Sequence, residues 1–159
     1  MKLEIKHLAP YLPYGLKAKF QAKNKKTCRK YVIGTISVMY SDCSICCYDT
    51  VNATPDNFKP ILRPLSDLTK EIEINGEKFV PIVELAKIAY PDLVWEFDRT
   101  RAISEWKKKP AYFFFQKNSF FACLFNNAIP NQIVLFNKLF EWHFDVFGLI
   151  DQGLALPLI

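Results

Sequence analysis

Three stretches near the N-terminus constrain the fold most. Leu16, Ala18 and Phe20 alternate with Lys17, Lys19 and Gln21, the period-two pattern of a strand that buries one face. "YVIGTISVMYS" at 31–41 is rich in β-branched residues and reads as a second strand. "CSICCYDTV" at 43–51 reads as its partner across a short turn at Ser41-Asp42, and "KNKK" at 23–26 is a charged turn. Residues 16–51 therefore predict a three-stranded antiparallel meander.

The remaining signals are local. Leu3, Ile5, Leu8 and Leu12 predict a short helix within 2–15, limited by Pro10 and Pro13 and ended at Gly15. "TPDNFKP" is a loop. "PILRPLSDLTKEI" combines an extended start with a helical turn from Ser66, a suitable N-cap. Asn75-Gly76 between alternating segments is the strongest hairpin signal in the chain. Pro81 opens a short amphipathic helix that closes before Pro91. "RTRAISEWKKK" can be read as a helix with a basic end, stopped by Pro110. "AYFFFQKNSFFACLF" at 111–125 fits two short strands around "QKNS" or, by periodicity alone, a buried helix. From Pro130, the apolar positions Ile133, Phe136, Phe140, Phe144 and Phe147 step by three and four, which predicts a long helix with one buried stripe. The expected fold is α+β in a single domain over 1–159. It comprises a small antiparallel sheet, the three-stranded meander plus a hairpin, packed against a long C-terminal helix.

Composition narrows the class. A chain of 159 residues suits one domain with a real core, and 50% hydrophobic residues argue against disorder. No uninterrupted apolar run approaches the roughly 18 residues that a membrane span needs. "MKLEIKHLAPYLPYG" has no apolar signal-peptide core, so a cytoplasmic location is expected. Five cysteines, an odd number, fit buried thiols in a reducing compartment.

Four constellations invite a chemical reading. Glu141, His143 and Asp145 stand at every second position of "LFEWHFDVFGLIDQG". On a strand they would share a face, but on a helix residues two apart point away from each other. The helical period makes Glu141 and Asp145, four apart, a solvated face with His143 at the border of the apolar stripe. Cys43-x-x-Cys46-Cys47 suggests a metal knuckle or a redox pair, yet on a strand Cys43 and Cys46 point to opposite faces, and no second pair supplies four ligands. Arg63, bounded by Pro60 and Pro64, is placed to pair with Asp67 or to meet a phosphate. There is no phosphate-cradling glycine loop, G-x-S-x-G or H-E-x-x-H. The expectation is a protein that is not an enzyme, with no catalytic residues, no cofactor and no metal.

The charge is more informative. Residues 1–30 hold nine Lys or Arg against Glu4 alone, whereas the rest of the chain holds twelve against fifteen acids. The basic excess is local, in Lys17, Lys19, Lys23, Lys25, Lys26, Arg29 and Lys30. Such a run attracts phosphate backbones or acidic protein surfaces. Phe20 and Tyr31 are the only aromatics flanking it, and both are expected to turn toward the apolar face. That leaves single-strand stacking without support and ranks protein binding above nucleic-acid binding.

Three blocks also carry a resemblance. "LAPYLPYGLK", "KPILRPLSDLTKEIEINGEKFVPI" and "LFEWHFDVFGLIDQGLA", about a third of the chain, resemble a family of small hypothetical proteins from phages and prophages of gut bacteria. The resemblance implies a mobile-element accessory protein made inside a bacterial host. It brings no activity, cofactor or site residue with it. The resulting expectation is a non-enzymatic phage-type accessory protein that binds a host or virion protein. The alternative is a nucleic-acid binder that uses the basic N-terminal segment.

Overall fold

The computed structural model describes residues 2–23, 29–39, 44–47, 52–54, 57–123, 129 and 132–158. The chain divides into two units, Met1–Pro64 with Phe140–Ile159, and Leu65–Leu139. In the first, α1 (Ile5–Leu8) runs into a 3-10 helix (Ala9–Tyr14), which Gly15 ends in the left-handed conformation at φ 71°. The strands β1 (Lys17–Lys23), β2 (Arg29–Met39) and β3 (Ile45–Cys47) follow as the expected antiparallel meander. The sheet is larger than that expectation. β4 (Asn52–Ala53) extends it beyond β3, and β5 (Phe58–Leu62) pairs with the free side of β1.

The second unit opens with a 3-10 turn (Leu65–Thr69). The hairpin of β6 (Ile72–Ile74) and β7 (Glu77–Phe79) turns at Asn75-Gly76, with φ of 53° and 85°. Positive φ at both central residues is what a two-residue turn needs to match strand twist. α2 (Pro81–Ala89) starts on Pro81 and buries Ile82, Leu85 and Ala86. A four-stranded antiparallel sheet follows in the order β11-β10-β9-β8: β8 (Glu96–Asp98), β9 (Arg101–Trp106), β10 (Lys109–Gln116) and β11 (Ser119–Ala122). Its inner face centres on Ala102, Ala111, Phe113 and Phe120, all buried, with Trp95 against Phe113. α3 (Gln132–Glu141) sets Phe136 edge-on to Phe120 at 5.5 Å, and Gln132 donates to the Phe120 carbonyl. Past α3, β12 (Leu156–Pro157) pairs in parallel with β5 and completes the first sheet in the order β12-β5-β1-β2-β3-β4.

Two expectations need correction. Among the described residues there is no long C-terminal helix for a sheet to pack against. α3 has ten residues and stops at Glu141, and the described residues are sheet-rich in both units. The buried positions on α3 are Leu135 and Leu139, while Ile133 is 75% exposed and Phe136 and Phe140 are half-buried. The stripe is thus rotated by about one residue from its expected centre. Phe144 is fully buried, but from an extended segment beyond the helix. In addition, Arg101–Trp106 is strand rather than helix. Lys107 and Lys108, at φ 49° and 63°, make a two-residue turn of the same handedness as Asn75-Gly76 without either of its residue types. Lys117 and Asn118, at 48° and 55°, make a turn of the same handedness between β10 and β11, with Asn but no Gly.

The stretch after α3 returns to the first unit through hydrogen bonds. Arg63 N–H donates to the His143 carbonyl at 2.7 Å, and Asp145 N–H to the Arg63 carbonyl at 2.8 Å. The buried Tyr11 hydroxyl donates to the Phe144 carbonyl at 2.7 Å and accepts from Val146 N–H at 3.2 Å. Asp145 is not on a solvated face, as the helical reading had it. Its buried carboxylate accepts from Leu149 and Ile150 N–H at 2.8 and 2.7 Å, closing a tight turn. Phe140 and Phe147 stack on each other at this junction, and Tyr11 meets both edge-on.

Two predictions follow from these geometries. Tyr11→Phe keeps the ring and removes the hydroxyl, leaving the Phe144 carbonyl without that donor. The cost expected in denaturant unfolding is about 1–3 kcal/mol, and a loss under about 0.5 kcal/mol would show that the hydroxyl contributes little. By contrast, Lys107→Asn with Lys108→Gly supplies the residues that the β9–β10 turn favours. It should raise stability by roughly 1 kcal/mol, and an unchanged midpoint would count against the left-handed turn.

Candidate nucleic-acid interface

The outer face of the first sheet gathers the basic side chains. β1 buries Ala18 and Phe20 and turns Lys17 and Lys19 outward, both exposed. Its register with β2 sets Lys17 opposite Thr35, Lys19 opposite Ile33 and Gln21 opposite Tyr31. Directly opposite residues in an antiparallel pair share a face, so Tyr31 and Ile33 stand beside the lysines. On the other side of β1, Lys59 of β5 pairs with Lys19 and is exposed, while Phe58 and Leu62 are buried. One row across three strands therefore reads Lys59, Lys19, Ile33.

Tyr31 contradicts the expectation that it turns inward. It is 60% exposed, with the Lys19 Nζ 5.0 Å from its ring centroid. Ile33 is 59% exposed beside it. Phe20 behaves as expected and is buried.

The other basic residues divide into two groups. Lys23 pairs in register with Arg29, and Lys30 with Ala22, at the far end of the β1–β2 ladder. Lys25 and Lys26 lie outside the described residues. Sequence reasoning missed Lys59, Tyr31 and Ile33. The alternation of Phe58, Lys59 and Pro60 hinted at an outward Lys59, but nothing local reveals that β5 lies against β1. For Tyr31, parity with Ile33 put it on one face, and only the register with β1 tells which.

The remaining candidates do not come together as a site among the described residues. Glu141 is exposed, Asp145 is committed to the Leu149 and Ile150 amides, and His143 follows the helix at φ 58°, so no relay forms. His7 is buried and accepts from Glu4 N–H at 3.0 Å. The Arg63 guanidinium lies 5.9 Å from the Phe144 ring, and Asp67 pairs with Lys70 instead. Cys43 lies outside the described residues, while Cys46 and Cys47 are placed on β3. Among the described residues no group of three or more His, Cys, Asp or Glu is arranged to hold a metal ion. In the second unit an open cleft of about 590 Å³ is lined by Asp92, Glu96 and Glu105 together with Lys108 and Lys109. Its mixed charge suits a polyanion poorly. Among the described residues no helix is long and apolar enough to cross a membrane. No family model, curated protein or solved structure matches the chain.

The Tyr11 hydroxyl is pushed well above its ordinary value by burial and is therefore neutral. Burial also lowers the His143 pKa, and the charges of Arg63 and Lys17 act in the same direction against a backbone hydrogen bond with Tyr14. The folded value lies below the ordinary one near 6.5, so the unfolded chain binds more protons in between. The stabilisation is present above about pH 6.5 and is lost as pH falls through the folded value. His143→Asn, a residue tolerated at positive φ, should weaken the fall in stability between about pH 7 and pH 5. Unfolding curves whose pH dependence is identical in the two proteins would refute this assignment.

Proposed function

We propose that this protein is a non-enzymatic accessory protein of phage type and that its ligand is a nucleic acid held on the outer face of the first sheet. The observation that carries the reading is the juxtaposition of Lys17, Lys19 and Lys59 with Tyr31 and Ile33 on three adjacent strands. Phosphate contacts supply affinity through released counterions, and three exposed ammonium groups on one face suit that role. Of the two aromatics flanking the basic run, Phe20 is buried, but Tyr31 is exposed and supplies a ring for stacking beside the lysines. The phage context rests on the three sequence blocks.

A second reading retains a host or virion protein as the partner. It is favoured by Tyr31, Val32 and Ile33, three consecutive residues of β2 exposed at 60%, 38% and 59%. Apolar surface on a strand facing water suits a protein partner.

The test is binding to labelled nucleic acid across a salt series. Affinity should fall with salt, and reversing Lys17, Lys19 and Lys59 to Glu should flatten the log–log slope by about two, at about 0.7 per contact on single strands. Circular dichroism should be unchanged, because all three side chains are exposed. Absence of salt-sensitive binding, with a host or virion protein retained after nuclease treatment, would instead establish the second reading.

A further inference from the structure

We propose that this face takes single-stranded rather than duplex nucleic acid, with a base stacked on Tyr31 and phosphates on Lys17, Lys19 and Lys59. The proposal rests on the nucleic-acid reading above. A duplex offers its phosphates and groove edges but keeps its base faces stacked inside, where an aromatic ring on a sheet cannot reach them. A single strand can splay its bases onto such a ring. Lys17 and Lys19 are two residues apart on β1, roughly 6–7 Å, comparable with the spacing of successive phosphates in an extended strand. Lys59 lies one strand over, so the charges form a short path and not an isolated point.

Tyr31 sits where that path can be read. It flanks Gln21 one register step beyond the Lys19–Ile33 pair, and its ring is exposed. The Lys19 ammonium, 5.0 Å from the ring centroid, bridges the two kinds of contact. It holds the ring by cation–π attraction and leaves charge for the backbone phosphate of the stacked nucleotide. Ile33 provides an apolar floor next to it. Stacking of this kind tolerates any base, so the proposal specifies strandedness and not sequence.

The experiment uses the whole chain and fluorescent probes of about 20 nucleotides, longer than the roughly 4–16 that a single-strand-binding OB fold covers. The probes are DNA and RNA single strands of mixed sequence and the matching DNA duplex, at one salt concentration. Either single strand should bind at least about tenfold more tightly than the duplex, and the two single-strand arms report whether the sugar matters. Tyr31→Ala should weaken single-strand binding roughly tenfold and leave duplex binding unchanged, whereas Tyr31→Phe should bind as the unaltered protein does. Ultraviolet cross-linking of a bromouracil-containing strand to the unaltered protein should label the peptide that holds Tyr31, a readout independent of how any variant folds. Equal duplex affinity, no effect of Tyr31→Ala, or a cross-link elsewhere would overturn the proposal. The nucleic-acid reading would still stand if reversal of the three lysines abolished binding. If no probe binds the unaltered protein, both fall.

Discussion

A single phenol organises the first unit. Tyr11 lies fully buried within the N-terminal 3-10 helix, and its oxygen both donates to the Phe144 carbonyl and accepts from Val146 N–H. The Phe144 carbonyl would otherwise be a buried acceptor without this donor, at a cost of about 1–3 kcal/mol. Around them, Arg63 exchanges two backbone hydrogen bonds with residues 143 and 145, and Asp145 takes up the amides of the next turn. The hydrophobic effect brings Phe140, Phe144 and Phe147 inward. It has no direction of its own, so the hydrogen bonds decide how the returning chain is seated.

That seating bears on the outer face. β12 pairs with β5, β5 with β1, and Leu158 N–H donates to the Leu62 carbonyl at 2.7 Å. β1 is therefore held on both sides along Ala18–Phe20, the stretch that carries Lys19. A strand in that position keeps its side chains at fixed spacing, which is what a charge pattern needs if it is to discriminate between ligands. Loosening the junction at Tyr11 would act on the face indirectly, through β5.

Much of the local structure was legible. The alternation at 16–22, the β-branched run at 31–41 and the Asn75-Gly76 turn each state their structure in a few residues. So do the bounds of α2 at Pro81 and Pro91. What was hidden depends on residues distant in sequence or on uncommon backbone choices. Lys107-Lys108 carries no turn signature, because lysine rarely adopts positive φ, so β9 looked like a helix with a basic end. The C-terminal helix looked long because Phe144 and Phe147 continue its period. They are buried instead by a different element, after Trp142 and His143 have broken the helix. Asp145 read as a surface acid because nothing in its neighbours announces that it will accept two amides. The candidate face was half visible. Lys17 and Lys19 followed from alternation, but Lys59 and Tyr31 waited on a strand pairing and a register.

The division of the chain has a consequence for how it is made. The first unit is written in two pieces, with residues 65–139 between them. On a ribosome the second unit is contiguous and can close as soon as it emerges. The first must hold its meander open at the β5 side until the segment from Phe140 to β12 has left the exit tunnel. Its long-range pairings, Tyr11 with Phe144 and Leu62 with Leu158, span most of the chain, and contacts of that separation form slowly. The outer edge of β5, one strand away from the basic β1, would thus stay unfilled during synthesis until Leu156 and Pro157 pair with it.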